Sequence, residues 1–196
     1  MKRLFFIAMV LFSALLFCSA TEIQAQTMHI QFKGIPVDGT LTSFVSKLKT
    51  QGYEYIASQD GMALLTGKFA GYPGCDIIVV STNNTVWKVV VELPEQSTLS
   101  DVLSRYEEFK QSFKLKYSAQ PEVCEELSES YKSEQIAYIG FKNKVSQWAS
   151  LFKIPGGTVL LEVEASSESF GNLRLRIDYY DDINSEIRNS ETMNDI

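Results

Sequence analysis

The order of elements in this 196-residue chain predicts an α+β fold, an antiparallel sheet with helices packed on one face. Three observations carry that reading. Helical stripes of apolar residues occur at only two places, residues 41–48 and 99–113. Runs of short strand-like segments, punctuated by Gly, Pro and Asn, come after each stripe. Helices and strands do not alternate singly, which excludes a doubly wound parallel sheet. The chain therefore divides into a leader (1–25), one α+β domain (26–180) and a polar, acidic C-terminal tail (181–196). Within the domain, two pseudo-repeated helix-then-strands halves span roughly 26–95 and 96–180.

The leader opens with Lys2 and Arg3, continues as an apolar run from Leu4 to Phe17 broken only by Ser13, and turns polar at Ser19, Thr21 and Glu22. These are the three parts of a secretory signal peptide, and the run is too short to span a bilayer as a helix. Cleavage is expected after Ala25, with Ala20 as the alternative. Export to the periplasm or the medium follows. Cys18 offers a minor alternative, a lipid anchor, although Phe17 fits poorly before a lipidated cysteine.

Met28–Lys33 reads as a short strand, and Gly34–Gly39 as a breaker-rich turn. Leu41, Phe44, Val45 and Leu48 then line one helix face, with Thr40 to cap its start and Gly52 just past its end. Strands are expected at Tyr53–Ala57, Met62–Phe69, Asp76–Ser81 and Thr85–Leu93, the last two joined by the hairpin pair Asn83-Asn84. A second helix opens near Ser97 or Thr98 and carries Leu99, Val102, Leu103, Tyr106, Phe109 and Phe113 on its core face. The acidic stretch Ser118–Glu134 reads as a loop or short helix. Strands return at Gln135–Phe141, Val145–Phe152, Thr158–Glu164 and Asn172–Tyr180, with a Gly156-Gly157 turn. From Asp181 onward the chain reads as a short frayed helix and tail.

Hydrophobic residues make up 45% of the chain and charged residues 21%, enough apolar material for a folded core, and the net charge is −6. An acidic chain lacks the basic footprint that nucleic acid or an anionic membrane requires. Outside the leader only Cys75 and Cys124 remain. In an oxidising compartment they read as a candidate disulfide, closing about 50 residues and worth roughly 4 kcal/mol in the chain-entropy model. Two separate thiols are the alternative. Neither cysteine has the spacing of a zinc or Cys-X-X-Cys redox site.

No assembled catalytic set emerges, and no cofactor or metal is implied. His29 is the only histidine and reads as exposed or at a sheet edge. There is no nucleophile elbow, and Gly67, Gly71 and Gly74 belong to turns rather than to a phosphate-binding loop. Many acids are present, but nothing in the spacing selects a catalytic pair. Asp178, Asp181 and Asp182 read as a solvated strand end. Trp87 and Trp148 stand out among the strand aromatics as a candidate binding surface for a protein, peptide or glycan.

The segment Phe32-Lys33-Gly34-Ile35-Pro36-Val37-Asp38-Gly39-Thr40-Leu41 resembles the start of a group of small exported proteins of Bacteroides-type bacteria. The likeness extends through Leu65–Tyr72 and Thr85–Val89. That resemblance implies export, and the group has no assigned activity. In its order of elements the chain is also similar to tandem beta-lactamase-inhibitor-protein-like modules, which bind proteins and do no chemistry. The expected function is thus a non-catalytic, exported binding module. An inhibitor of a hydrolase is the alternative, and a carboxylate-based hydrolase ranks below both.

Overall fold

The computed structural model describes residues 28–186, so the expected leader and the end of the tail lie outside the described residues. In chain order the elements are β1 (Gln31–Phe32), β2 (Ile35–Pro36), α1 (Leu41–Thr50), β3 (Glu54–Gln59), β4 (Met62–Phe69), β5 (Tyr72–Thr82) and β6 (Thr85–Glu92). They continue with α2 (Leu99–Tyr117), β7 (Glu122–Glu126), a 3₁₀ turn (Glu129–Tyr131), α3 (Ala137–Lys142), β8 (Gln147–Ile154), β9 (Gly157–Ala165) and β10 (Leu173–Asp181). The fold is α+β. Eight strands form one antiparallel sheet in the order β3-β4-β5-β6-β10-β9-β8-β7, and β1 and β2 make a separate small ribbon.

That order expresses the two halves. β3–β6 is one meander, β7–β10 is another, and the last strand of each pairs with the other from Lys88↔Tyr180 to Glu92↔Arg176. Turn chemistry sets up the first meander. Asp60-Gly61, Ala70-Gly71 and Asn83-Asn84 all sit at positive φ, as in the mirror-image turns whose twist matches that of paired strands.

Strand alternation sends Leu65, Ile77, Val79, Val89, Val91, Ile177, Tyr179, Val159, Leu161 and Phe152 to the helix-covered face, where all are buried. α1 contributes Phe44 and Leu48, each worth about 2–3 kcal/mol when fully buried. α2 adds Val102, Tyr106, Phe109 and Phe113 over the second half. The N-terminal segment bridges the two: Phe32 stacks on Phe69 at 5.9 Å and meets Tyr179 edge-on at 5.2 Å, and Phe69 in turn stacks on Phe109 at 6.2 Å.

The starts of α1 and α2 are capped by threonine: Thr40 Oγ1 accepts from the Ser43 amide and Thr98 Oγ1 from the Asp101 amide. Glu134 reinforces the α2 start by accepting the Leu99 and Ser100 amides. No helix among the described residues is long and apolar enough to cross a membrane.

The second half departs from its expected elements at two places. The segment expected as a strand at Gln135–Phe141 is the helix α3, and the acidic stretch expected as loop or helix contains the edge strand β7. In α3, Ala137, Tyr138 and Phe141 turn onto the core, a pattern that six residues satisfy as readily in a helix as in a strand. β7 is carried by Val123 and Cys124 and flanked by glutamates, a charged edge of the kind that discourages further pairing.

Candidate binding surface

On the sheet face opposite α1 and α2, the β9–β10 loop covers one end through Glu168 and Ser166, and the centre holds charge. On β10, Arg174, Arg176, Asp178 and Tyr180 project there, opposite Glu92 and Lys88 of β6 and Glu162 and Glu164 of β9. Arg176 Nε donates to Asp178 Oδ1 at 2.8 Å, while its Nη1 lies 3.3 Å from Glu164 and 3.8 Å from Glu92. Lys88 Nζ meets Asp178 Oδ2 at 2.6 Å and donates to the Tyr180 hydroxyl at 3.0 Å. Arg174, only 4% exposed, is paired with Glu92, Glu95 and Glu168. Asp178 is therefore no solvated strand end. It is 2% exposed and held by a lysine, an arginine and a tyrosine, because its strand lies at the centre of the sheet.

Carboxylates outnumber cations here, and their ionisation responds. Burial, with the charges of Glu164 and Asp178 adding to it, pushes the Glu162 carboxyl up to about 7. Burial also raises Asp76, opposite Glu92, with the charges of Glu168 and Glu92 contributing. At the rim, hydrogen bonds from Asn172 and Ser166 hold Glu95 down at about 2. Around this lattice stand half-buried apolar side chains: Ile78 and Val80 on β5, Leu160 on β9 and Leu151 on β8.

The two tryptophans part company. A bulge in the β5–β6 ladder, where Val80 pairs with Lys88 but Ser81 with Val86, sets Trp87 on the open face. Its ring lies 6.3 Å from Tyr180, and its indole N–H donates to Thr82 Oγ1 at 3.1 Å. Trp148 pairs with Glu125 on the helix-covered side and meets Tyr106 edge-on at 6.4 Å. No single platform contains both, since bulges and strand parity are not visible in composition.

Cys75 and Cys124 are unpaired thiols, so the expected bridge is not formed. Cys75 is buried on β5 and Cys124 lies on the edge strand β7, five strand positions away. At about 4.8 Å per strand their separation is roughly 24 Å, whereas a disulfide needs Cα atoms within about 7 Å. Burial raises the Cys75 thiol pKa.

His29 is likewise neither free nor at the edge of the large sheet. Its Nδ1 lies 3.0 Å from Asp181 Oδ2, which also accepts the Ile30 amide, while Asp181 Oδ1 accepts the Asn184 amide. Asn184 donates in turn to the carbonyls of Val37 and Val86. Asp181 is fully buried, and this cluster fastens the N-terminal segment to the end of β10. Sequence spacing could not show it, because its members come from opposite ends of the domain.

The chain matches no protein-family model, no curated protein and no solved structure.

Proposed function

We propose that this chain is an exported, non-catalytic binding module that docks a partner protein on the open face of its sheet. The observation that carries the reading is that face itself: a charged centre with partly apolar flanks and Trp87 at one side. Size supports it. Eight strands at about 4.8 Å spacing and about 20 Å length offer roughly 750 Å², close to one side of a standard protein interface. Across the β5–β6–β10–β9 centre, Asp76, Glu92, Asp178, Glu162 and Glu164 face Lys88, Arg174 and Arg176, an excess of two carboxylates. The fitting partner presents a basic centre flanked by apolar side chains, and Trp87 is the anchor that its apolar flank meets. The signal-peptide pattern of the first 25 residues and the resemblance of the first half to exported proteins support the compartment.

Affinity capture with the tagged protein lacking residues 1–25, from native envelope and culture fractions, tests the reading. Wild type is expected to retain a stoichiometric protein that Leu160→Glu loses. A control on the helix side, Leu115→Glu at an 83% exposed position, keeps it. Equal retention by Leu160→Glu and wild type would place the contact elsewhere and sink the proposal.

A further inference from the structure

The sheet is not closed throughout the second half. β8 and β9 pair from Ala149↔Glu162 to Ile154↔Gly157 and no further. Beyond that, Gln147 and Trp148 remain paired with β7, whereas Val163, Glu164 and Ala165 remain paired with β10. The two strands part, and a cavity of about 600 Å³ occupies the notch between them, capped on the helix side by α3. That volume lies within the range of small-ligand sites. The edge of β9 over residues 163–165 has no strand partner among the described residues, so main-chain polar groups line the opening.

The notch brings together groups from both faces. Trp148 and Tyr138 supply aromatic surface; Glu162, Glu164, Gln147 and Lys144 supply polar groups. Trp148 is half-buried, meets Tyr106 edge-on and is among the residues that line the cavity. Among these polar groups are acceptors, a cationic donor and an amide that does both. With Glu162 ionised the charged lining balances, since Lys142 and Lys144 stand against Glu162 and Glu164. A balanced lining does not select an ion. Hydroxyl groups, each donor and acceptor at once, match such a mixture, and the apolar face of a sugar ring matches an indole.

We propose that the notch between β8 and β9 is a binding site for a neutral saccharide, one sugar ring lying against Trp148 and its hydroxyls meeting Gln147, Glu164 and Glu162. The raised Glu162 carboxyl fits this role. Near neutral pH it is protonated part of the time, so it can donate to a hydroxyl as well as accept from one. The notch shares Glu162 and Glu164 with the open face proposed for docking, but Trp148 and Gln147 belong to the notch alone, so the sugar titration and the Leu160→Glu capture can fail independently.

Intrinsic fluorescence tests the site. Trp87→Phe leaves Trp148 as the only tryptophan. That protein is titrated with glucose, galactose, N-acetylglucosamine and their β-linked disaccharides, with sorbitol as an open-chain polyol control. At least one cyclic sugar is expected to give a saturable change in Trp148 emission, and sorbitol none. Gln147 is exposed, so Gln147→Ala leaves the core intact and is expected to weaken that binding at least about tenfold. Absence of a saturable response to every sugar overturns the proposal. So does an unchanged affinity in Gln147→Ala, or an equal response to sorbitol.

Discussion

The two halves use one order of elements to build different things. In the first, β3 to β6 follow one another through two-residue turns, each with both residues at positive φ, and every neighbouring pair is in register over most of its length apart from local bulges. In the second, the link from β7 to β8 carries a 3₁₀ turn and α3, and the link from β8 to β9 is the two-residue turn Pro155-Gly156 with positive φ at Gly156 alone. Pro followed by a positive-φ Gly is the signature of a type II turn, whose twist matches a hairpin less well. The first half is thus a sealed template, and the second is one that parts. Pairing of β8 with β9 is complete beside this turn and lost at the far end, where α3 enters the chain, so the inserted helix rather than the order of elements marks the opening.

The harshest way to probe that contrast is to hollow each half. Phe44→Ala removes the α1 anchor and Phe152→Ala the corresponding ring under α2; both side chains are fully buried, and each loss is expected to cost about 3–5 kcal/mol. Urea unfolding followed by circular dichroism should show one transition in both variants, because the two halves share a sheet and a core. A second, separate transition in either would make the halves independent units.

Gly140→Ala tests the opening more gently. An added Cβ would lie 2.6 Å from Ser146 Oγ and 2.8 Å from Tyr131 Cβ, so α3 or the Ser146 and Tyr131 side chains against it must shift. With the helix-propensity gain of alanine offsetting part of the strain, a net loss of about 1–2 kcal/mol is expected, together with altered Trp148 emission. Unchanged emission would mean that α3 does not shape the notch.

Glu162 should give the second half a pH signature. Its carboxyl is raised in the folded state, so its contribution is fully present below its ordinary pKa and is lost as pH rises through about 7. Arg176, Glu164, Asp178 and Lys88 all face it, and a quarter of the side chain is exposed, which screens the effect to about 1–2 kcal/mol between about pH 5 and about pH 8. Glu162→Gln should remove that part of the slope in urea unfolding at the two pH values. An identical slope in the variant would relocate the titration.

The smallest effects are at the helix starts. Thr40→Ala should cost about 1 kcal/mol, since Thr40 is the side chain that caps α1. Thr98→Ala should cost less than about 0.5 kcal/mol, because Glu134 still accepts two amides of α2. Equal losses in thermal melts would mean that Glu134 adds nothing.

The same contrast governs what was legible in the sequence. The first half could be read almost element by element: Thr40 caps α1, β4 runs from Met62 to Phe69, and Asn83-Asn84 makes its hairpin. Those features are local, and short-range physics determines them. α3 and β7 could not be read, because six residues around Tyr138 suit either period and a glutamate-rich segment gains its strand character only from pairing with β8. The candidate sites fared likewise. Trp87 and Trp148 both lie on strands, as their surroundings in the sequence predict, but the bulge at Val80 and the pairing of Trp148 with Glu125 decide which side each faces. Arg176 and Asp178 were legible only as alternating polar residues. Their burial depends on β10 lying at the centre of the sheet, a long-range fact.

The pairing of β6 with β10 also orders events while the chain is being made. β6 ends at Glu92 and β10 begins at Leu173, so the first meander can fold while its inner strand still lacks a neighbour. At ribosomal rates the missing strand arrives on the order of ten seconds later. Through that interval Val89, Val90 and Val91 form a bare, valine-rich edge able to template aggregation or to engage a chaperone. The strand that makes the finished sheet continuous is the last of the described strands to be synthesised.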